Sequence, residues 1–200
     1  MKSSITIVSF FVLGVLIGYL DVIPLSVIDN DLSFYALCGL MFCVGLSLGN
    51  DSRTFQRFKM LNPRLYLLPF VTIVGTLVGC AAISLLLPSR SLFDVMAVGS
   101  GLGYYSLSSI FITEYKGAEL GTVALLSNII REITTLLFAP LLVKYFGRLA
   151  PISVGGATTM DTTLPIIMRF SGKEFAVVAI FHGFVLDLSV PILVSFFCSL

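Results

Sequence analysis

Residues 125–142 read LLSNIIREITTLLFAPLL. An arginine and a glutamate stand side by side near the middle of an apolar stretch. The stretch is long enough to cross a membrane, since about 20 residues of helix span the hydrocarbon core. Insertion scales put each such charge at about 2.5–3.5 kcal/mol near the bilayer centre, before any pairing. Neighbouring helix positions point about 100° apart, so Arg131 and Glu132 are poorly placed to pair with each other. Each needs a partner elsewhere. Asn128, Arg131, Glu132 and Thr135 follow i, i+3, i+4, i+7 spacing and form one polar stripe on an otherwise apolar helix. That stripe is expected to face the protein interior or a water-filled cavity.

The whole chain is built for the same solvent. Of its 200 residues, 57% are hydrophobic and 12% are charged, and the mean hydropathy is +1.04. A soluble domain carries roughly twice that charge. The apolar residues come in long runs, and little remains for a soluble domain, so residues 1–200 read as a single transmembrane domain. A net charge of +1 argues against nucleic acid as a partner. Cys38, Cys43, Cys80 and Cys198 lie in or beside apolar runs without metal-ligand spacing and read as small packing residues. Nothing in the sequence calls for a metal or cofactor.

Apolar runs fall at residues 4–20, 32–49, 65–87, 92–115, 118–145, 150–170 and 174–198. The first follows Lys2 and has the look of a signal peptide, but no small-residue cleavage site follows it, so a retained span is expected. The fold expected is an all-α integral membrane protein with about seven transmembrane segments. Arg53, Arg57, Lys59 and Arg64 make the densest basic loop and place it in the cytoplasm. The acidic loop with Asp21, Asp29 and Asp31 then faces out. Lys144 and Arg148 would also face out, which runs against the rule.

Two of the runs are poor membrane helices. Residues 99–106 read GSGLGYYS, and residues 155–165 read GGATTMDTTLP. Glycine frees the backbone and proline removes a helix donor. Irregular backbone has no partner in lipid and is tolerated where it lines a cavity, as in the broken helices of transporters. The bland alternative, tight helix packing through small residues, fits the first segment equally well. The second is too polar for a lipid-facing helix. The two segments also resemble each other loosely, VGSGLGYYSLSSI against VGGATTMDTTLPI. The fold expected therefore has two spans broken by Gly/Thr/Pro-rich stretches near the midplane.

Partners for the buried charges are few. Asp161 in the second broken segment, and His182 and Asp187 in the last span, are available. Arg131 bridged to Asp161 or Asp187 would be a purely structural network. Glu132 has no obvious local cation, and an intramembrane carboxylate of that kind suits a proton or cation site. His182 reads as a hydrogen-bonded packing residue before a proton relay. Asp94, Glu114, Lys116, Glu119, Lys173 and Glu174 sit at span ends as solvated charge.

Those same residues carry a family resemblance. GSGLGYYSLSSIFITEYKGAELGTVALLSNIIREITTLLFAPLL and GGATTMDTTLPIIMRFSGKEFAVVAIFHGFVLDLSVPILVSFF closely resemble the lysine exporter family LysO, and MFCVGLSLGND resembles its shorter upstream pattern. The resemblance implies secondary transport, exporting L-lysine and toxic lysine analogues across the bacterial inner membrane with a proton or other ion in counterflow. It places the family's functional transmembrane glutamate on Glu132. Full-length members have further N-terminal spans carrying a second functional aspartate. This chain resembles only their C-terminal two-thirds, and that aspartate's role does not transfer to Asp51. A small membrane subunit is expected to supply the missing spans.

The mechanism expected is alternating access about a midplane site. Glu132 or Asp161 would hold the lysine cation, with Asp187 nearby. The substrate carboxylate would take backbone amides near Gly101 and Gly103 or near Thr158 and Thr159, with Ser106, Thr158, Asn128 or Arg131 assisting. Protonation of Glu132 would release the cation and couple the two flows. Crossed broken helices, as in bile-acid symporters or sodium–proton antiporters, are the fold-level analogy. Three rivals stay open: a transporter or channel subunit for another small amino acid or organic ion, a structural subunit whose partner carries the site, and an intramembrane enzyme using Ser127, His182 and Asp187. For the last, no HExxH motif is present.

Overall fold

In a computed structural model the described residues are 63–200, together with Leu13, Leu16, Ile17, Tyr19 and Leu20. The first two apolar runs and all of the basic loop except Arg64 lie outside residues 63–200. Among the described residues the chain is all helical, without strands. A 3-10 turn, Pro63–Leu67, leads into α1 (Leu68–Ser84). Then follow α2 (Leu92–Gly99), α3 (Tyr105–Lys116), α4 (Ala118–Phe146), α5 (Ala150–Gly155), α6 (Leu164–Phe170) and α7 (Ala176–Cys198). Among the described residues three helices are long and apolar enough to cross a membrane: Pro63–Ser84, Ala118–Phe146 and Lys173–Cys198.

Local chemistry sets the boundaries. Pro69 opens α1, where its missing N–H costs no bond. Ser91 caps α2 by accepting the Asp94 amide at 3.0 Å. Gly117 (φ 92°) ends α3 with its N–H on the Thr113 carbonyl at 2.9 Å and lets α4 begin at once. α4 runs 29 residues, about 44 Å at 1.5 Å per residue, and so exceeds the hydrocarbon core.

The two glycine-rich runs are both broken, as their composition predicts. α2 and α3 are half-helices separated by residues 100–104, and α5 and α6 are separated by residues 156–163. The breaks touch each other. The Ala157 N–H donates to the Leu102 carbonyl at 2.9 Å, a backbone bond between the two segments. α7 packs along the second break and against α2 and α3, while α4 packs on α3 and α5. Ile152, Ile167, Val178 and Ala179 form a small apolar core where α5, α6 and the start of α7 meet.

Candidate functional site

The crossing needs glycine on both sides. Gly156 has φ 66°, and a Cβ there would run into the Leu102 carbonyl. Gly103 has φ 98°, and a Cβ there would sit 2.9 Å from the Gly155 carbonyl oxygen. Leu102 itself is held at φ 46°, a left-handed conformation that costs a non-glycine residue about 1–2 kcal/mol. Its carbonyl bond to Ala157 and its complete burial hold it there.

α4 faces this crossing with the stripe read from the sequence. Its buried positions are Leu120, Gly121, Ala124, Asn128, Glu132, Thr135 and Ala139, one helical face. Asn128 serves the first break. Its Oδ1 accepts the Gly103 N–H at 2.7 Å, and its amide donates to the Ala124 carbonyl at 2.9 Å. The same amide reaches the Ser108 hydroxyl at 3.4 Å, and Gly101 packs where a side chain would displace it.

Arg131 serves the second break. Its Nε donates to the Val154 carbonyl at 2.7 Å and its Nη2 to the Ser153 carbonyl at 3.0 Å. These are last-turn carbonyls of α5, which have no amide partner within the helix and carry its negative dipole end. Among the described residues the ion pairs are Arg90–Glu119, Lys116–Asp94 and Arg148–Glu174, all at span ends. Arg131 pairs with a helix terminus rather than with Asp161 or Asp187.

Glu132 is only 9% exposed, yet it makes no hydrogen bond or ion pair among the described residues. It lies close enough for its charge to act on Tyr105, as does that of Asp161. Asp161 and Asp187 act on Tyr104, and Asp161 acts on Asp187. Glu132 and Asp161 thus lie toward Tyr105, the first residue of α3, and Asp161 and Asp187 toward Tyr104 just before it. Asp161 is exposed and accepts the Thr162 amide, whereas Asp187 is buried. Among the described residues no group of His, Cys, Asp and Glu is arranged to hold a metal ion.

The threonines of the second break satisfy the backbone they loosen. Thr158 donates to the Gly155 carbonyl at 2.8 Å, and Thr159 reaches the Gly156 and Ala179 carbonyls, each at 2.8 Å. His182 is fully buried between Thr72 of α1 at 2.9 Å and Thr159 at 3.4 Å. That fits the packing role, and it ties α1, α7 and the break together. Ser106 sits half-buried in the first turn of α3. The sequence reading passed over Tyr104, Tyr105 and Thr72. The YY pair inside GLGYYS was a visible signal, whereas Thr72 looks like any threonine in an apolar span.

A family model described as "Lysine exporter LysO" matches residues 8–198. The chain belongs to the lysine exporter LysO family. It is 35% identical to the lysine exporter LysO of Escherichia coli over 170 residues, which is 85% of this chain and 56% of that protein. It is 33% identical over 193 residues to a protein of Haemophilus influenzae provisionally named a lysine exporter, covering 96% of this chain and 97% of that one. The chain therefore spans little more than half of the first relative and nearly all of the second. No solved structure matches it. Family membership and the apolar helices together make this a membrane protein of a transporter family.

Proposed function

We propose that the chain is a secondary transporter, multi-pass in the bacterial inner membrane, that exports L-lysine and toxic analogues by proton- or ion-coupled alternating access. One observation carries the reading. Of the polar side chains on the α4 stripe, Asn128 and Arg131 bond the broken backbone, and Glu132 does not. A buried carboxylate without a protein partner at membrane depth is costly unless it is protonated or meets a cation. The relatives' names supply the cation, lysine.

In the cycle, ionised Glu132 binds the lysine ammonium, with Asp161 and Asp187 adding negative potential near Tyr104 and Tyr105. A proton arriving from the opposite side neutralises Glu132 and weakens its hold, so proton entry and substrate release compete for one carboxylate. The crossed breaks suit alternating access, because glycine linkages let half-helices tilt while the outer helices keep their packing. A small membrane subunit supplying further spans, and with them a second carboxylate, belongs to the same proposal.

Lysine flux in proteoliposomes under an imposed pH gradient tests this, with the chain alone and with its candidate subunit. Gradient-driven flux that disappears in Glu132→Gln is the expected result. Unchanged flux in that variant overturns the coupling step. Flux that does not saturate with lysine would favour a channel.

A further inference from the structure

A cavity of about 370 Å³ lies beside Arg131, within the range of small-ligand sites, and opens on the surface of the described residues. Its polar lining is Thr72, Thr76, Arg131 and Ser153, and Val71 and Val154 are among its apolar walls. No carboxylate lines it, although Glu132 is the next residue along α4.

The donors here are only partly used. A guanidinium has five N–H groups in a planar fork. Arg131 spends its Nε–Nη2 edge on the α5 carbonyls. The end formed by Nη1 and the second Nη2 hydrogen makes no hydrogen bond among the described residues. It is not a sealed orphan either, since the Ser171 hydroxyl is the buried unpartnered side-chain group among them. The hydroxyl of Thr72 is taken by His182. Those of Thr76, one turn further along α1, and of Ser153 make no hydrogen bond among the described residues. A fork end and two hydroxyls from three helices around one cavity, with apolar sides and no competing acid, is a donor set that suits a carboxylate.

We infer that this cavity is a carboxylate subsite, in which the Nη1–Nη2 end of Arg131 and the hydroxyls of Thr76 and Ser153 take the substrate's α-carboxylate. Naming the carboxylate as that of the exported amino acid rests on the proposed lysine transport. The subsite lies against α1 and α5, whereas the charge of Glu132 acts on Tyr105 of α3. A lysine with its carboxylate on Arg131 and an ammonium toward Glu132 would use the adjacent charges for opposite ends of one molecule. Arg131 would then fix the half-helix and read the substrate with different edges of one group.

The test titrates the full chain, reconstituted with its candidate subunit, with L-lysine, L-norleucine (carboxylate but no ε-ammonium) and cadaverine (both amines but no carboxylate). Thr76→Val is expected to weaken L-lysine and L-norleucine about tenfold and leave cadaverine unchanged, with Ser153→Ala acting in the same direction. Thr76→Ser should restore both amino acids, which a packing defect would not predict. Cadaverine binding as tightly as L-lysine to the wild type overturns the inference. So does a Thr76→Val protein that loses all three ligands equally or none of them. Binding of chloride without L-norleucine also overturns it and assigns an inorganic anion. L-norleucine binding in a protein that moves no lysine would uphold the subsite and remove the lysine reading instead.

Discussion

The two breaks solve one problem in opposite ways. At residues 100–104 the difficulty is a donor. The Gly103 N–H has left the helix ladder, and a neutral amide from α4 accepts it. At the end of α5 the difficulty is a set of acceptors. The Ser153 and Val154 carbonyls have no following turn, and a guanidinium from the same α4 face donates to them. Asn128 and Arg131 lie three positions apart, about one turn of helix, so a single helix serves both breaks. The difference teaches which charge is structural. A half-helix C-terminus calls for a cation, and Arg131 supplies it. Neither break calls for an anion, and Glu132 makes no bond to either of them among the described residues.

Substitutions can break this pairing, and the largest effect is expected at the charged member. Arg131→Met leaves two carbonyls without donors at membrane depth. At about 1.5–3 kcal/mol for each charge-assisted bond, it should cost about 3 kcal/mol or more and lower the melting temperature in detergent by about 10 °C. Next comes the crossing itself. Gly156→Ala forces a Cβ onto the Leu102 carbonyl from a positive φ and should cost about 2 kcal/mol. The same change at the open helix position Gly75, where a Cβ meets nothing, should not destabilise at all. Hydrogen exchange at the Ala157 amide would report whether the crossing bond has opened in the Gly156 variant.

A smaller loss is expected from Asn128→Ala, which strips a neutral acceptor from Gly103 and should cost about 1–2 kcal/mol. A thermal shift for this variant equal to that of Arg131→Met would erase the distinction between the two breaks. The smallest effect on stability belongs to Glu132→Gln, within about 0.5 kcal/mol, because the side chain has no bond among the described residues to lose. If Glu132→Gln instead melted as early as the arginine variant, Glu132 would be part of the scaffold, and the division of labour on α4 would fail.

Much of this was legible from residue types. The runs at 65–87, 118–145 and 174–198 became the long helices α1, α4 and α7, because apolar length alone decides what can sit in lipid. The runs at 92–115 and 150–170 became paired half-helices, because glycine, threonine and proline at that density cannot continue a ladder. The stripe from Asn128 to Thr135 faces inward, because a 3.6-residue period puts those positions on one side. Even the buried, hydrogen-bonded His182 followed from its place in an apolar span.

Pairing was not legible. The sequence permitted an Arg131–Asp161 bridge, and nothing in a linear string says that a carbonyl of residue 154 lies nearer than a carboxylate of residue 161. Backbone groups are the same at every position, and only the fold decides which have lost their partners. Nor could any pattern reveal that the two breaks bond to each other through Leu102 and Ala157, or that Thr76 of α1 lines an open cavity together with Arg131. The sequence by itself determined which segments are helical, which are broken and which α4 face is polar, because those follow from side-chain transfer energies and helical period. The tertiary structure alone decided which polar groups were consumed by the broken backbone and that Glu132 was left over, because satisfaction of buried polar groups is a property of neighbours in space.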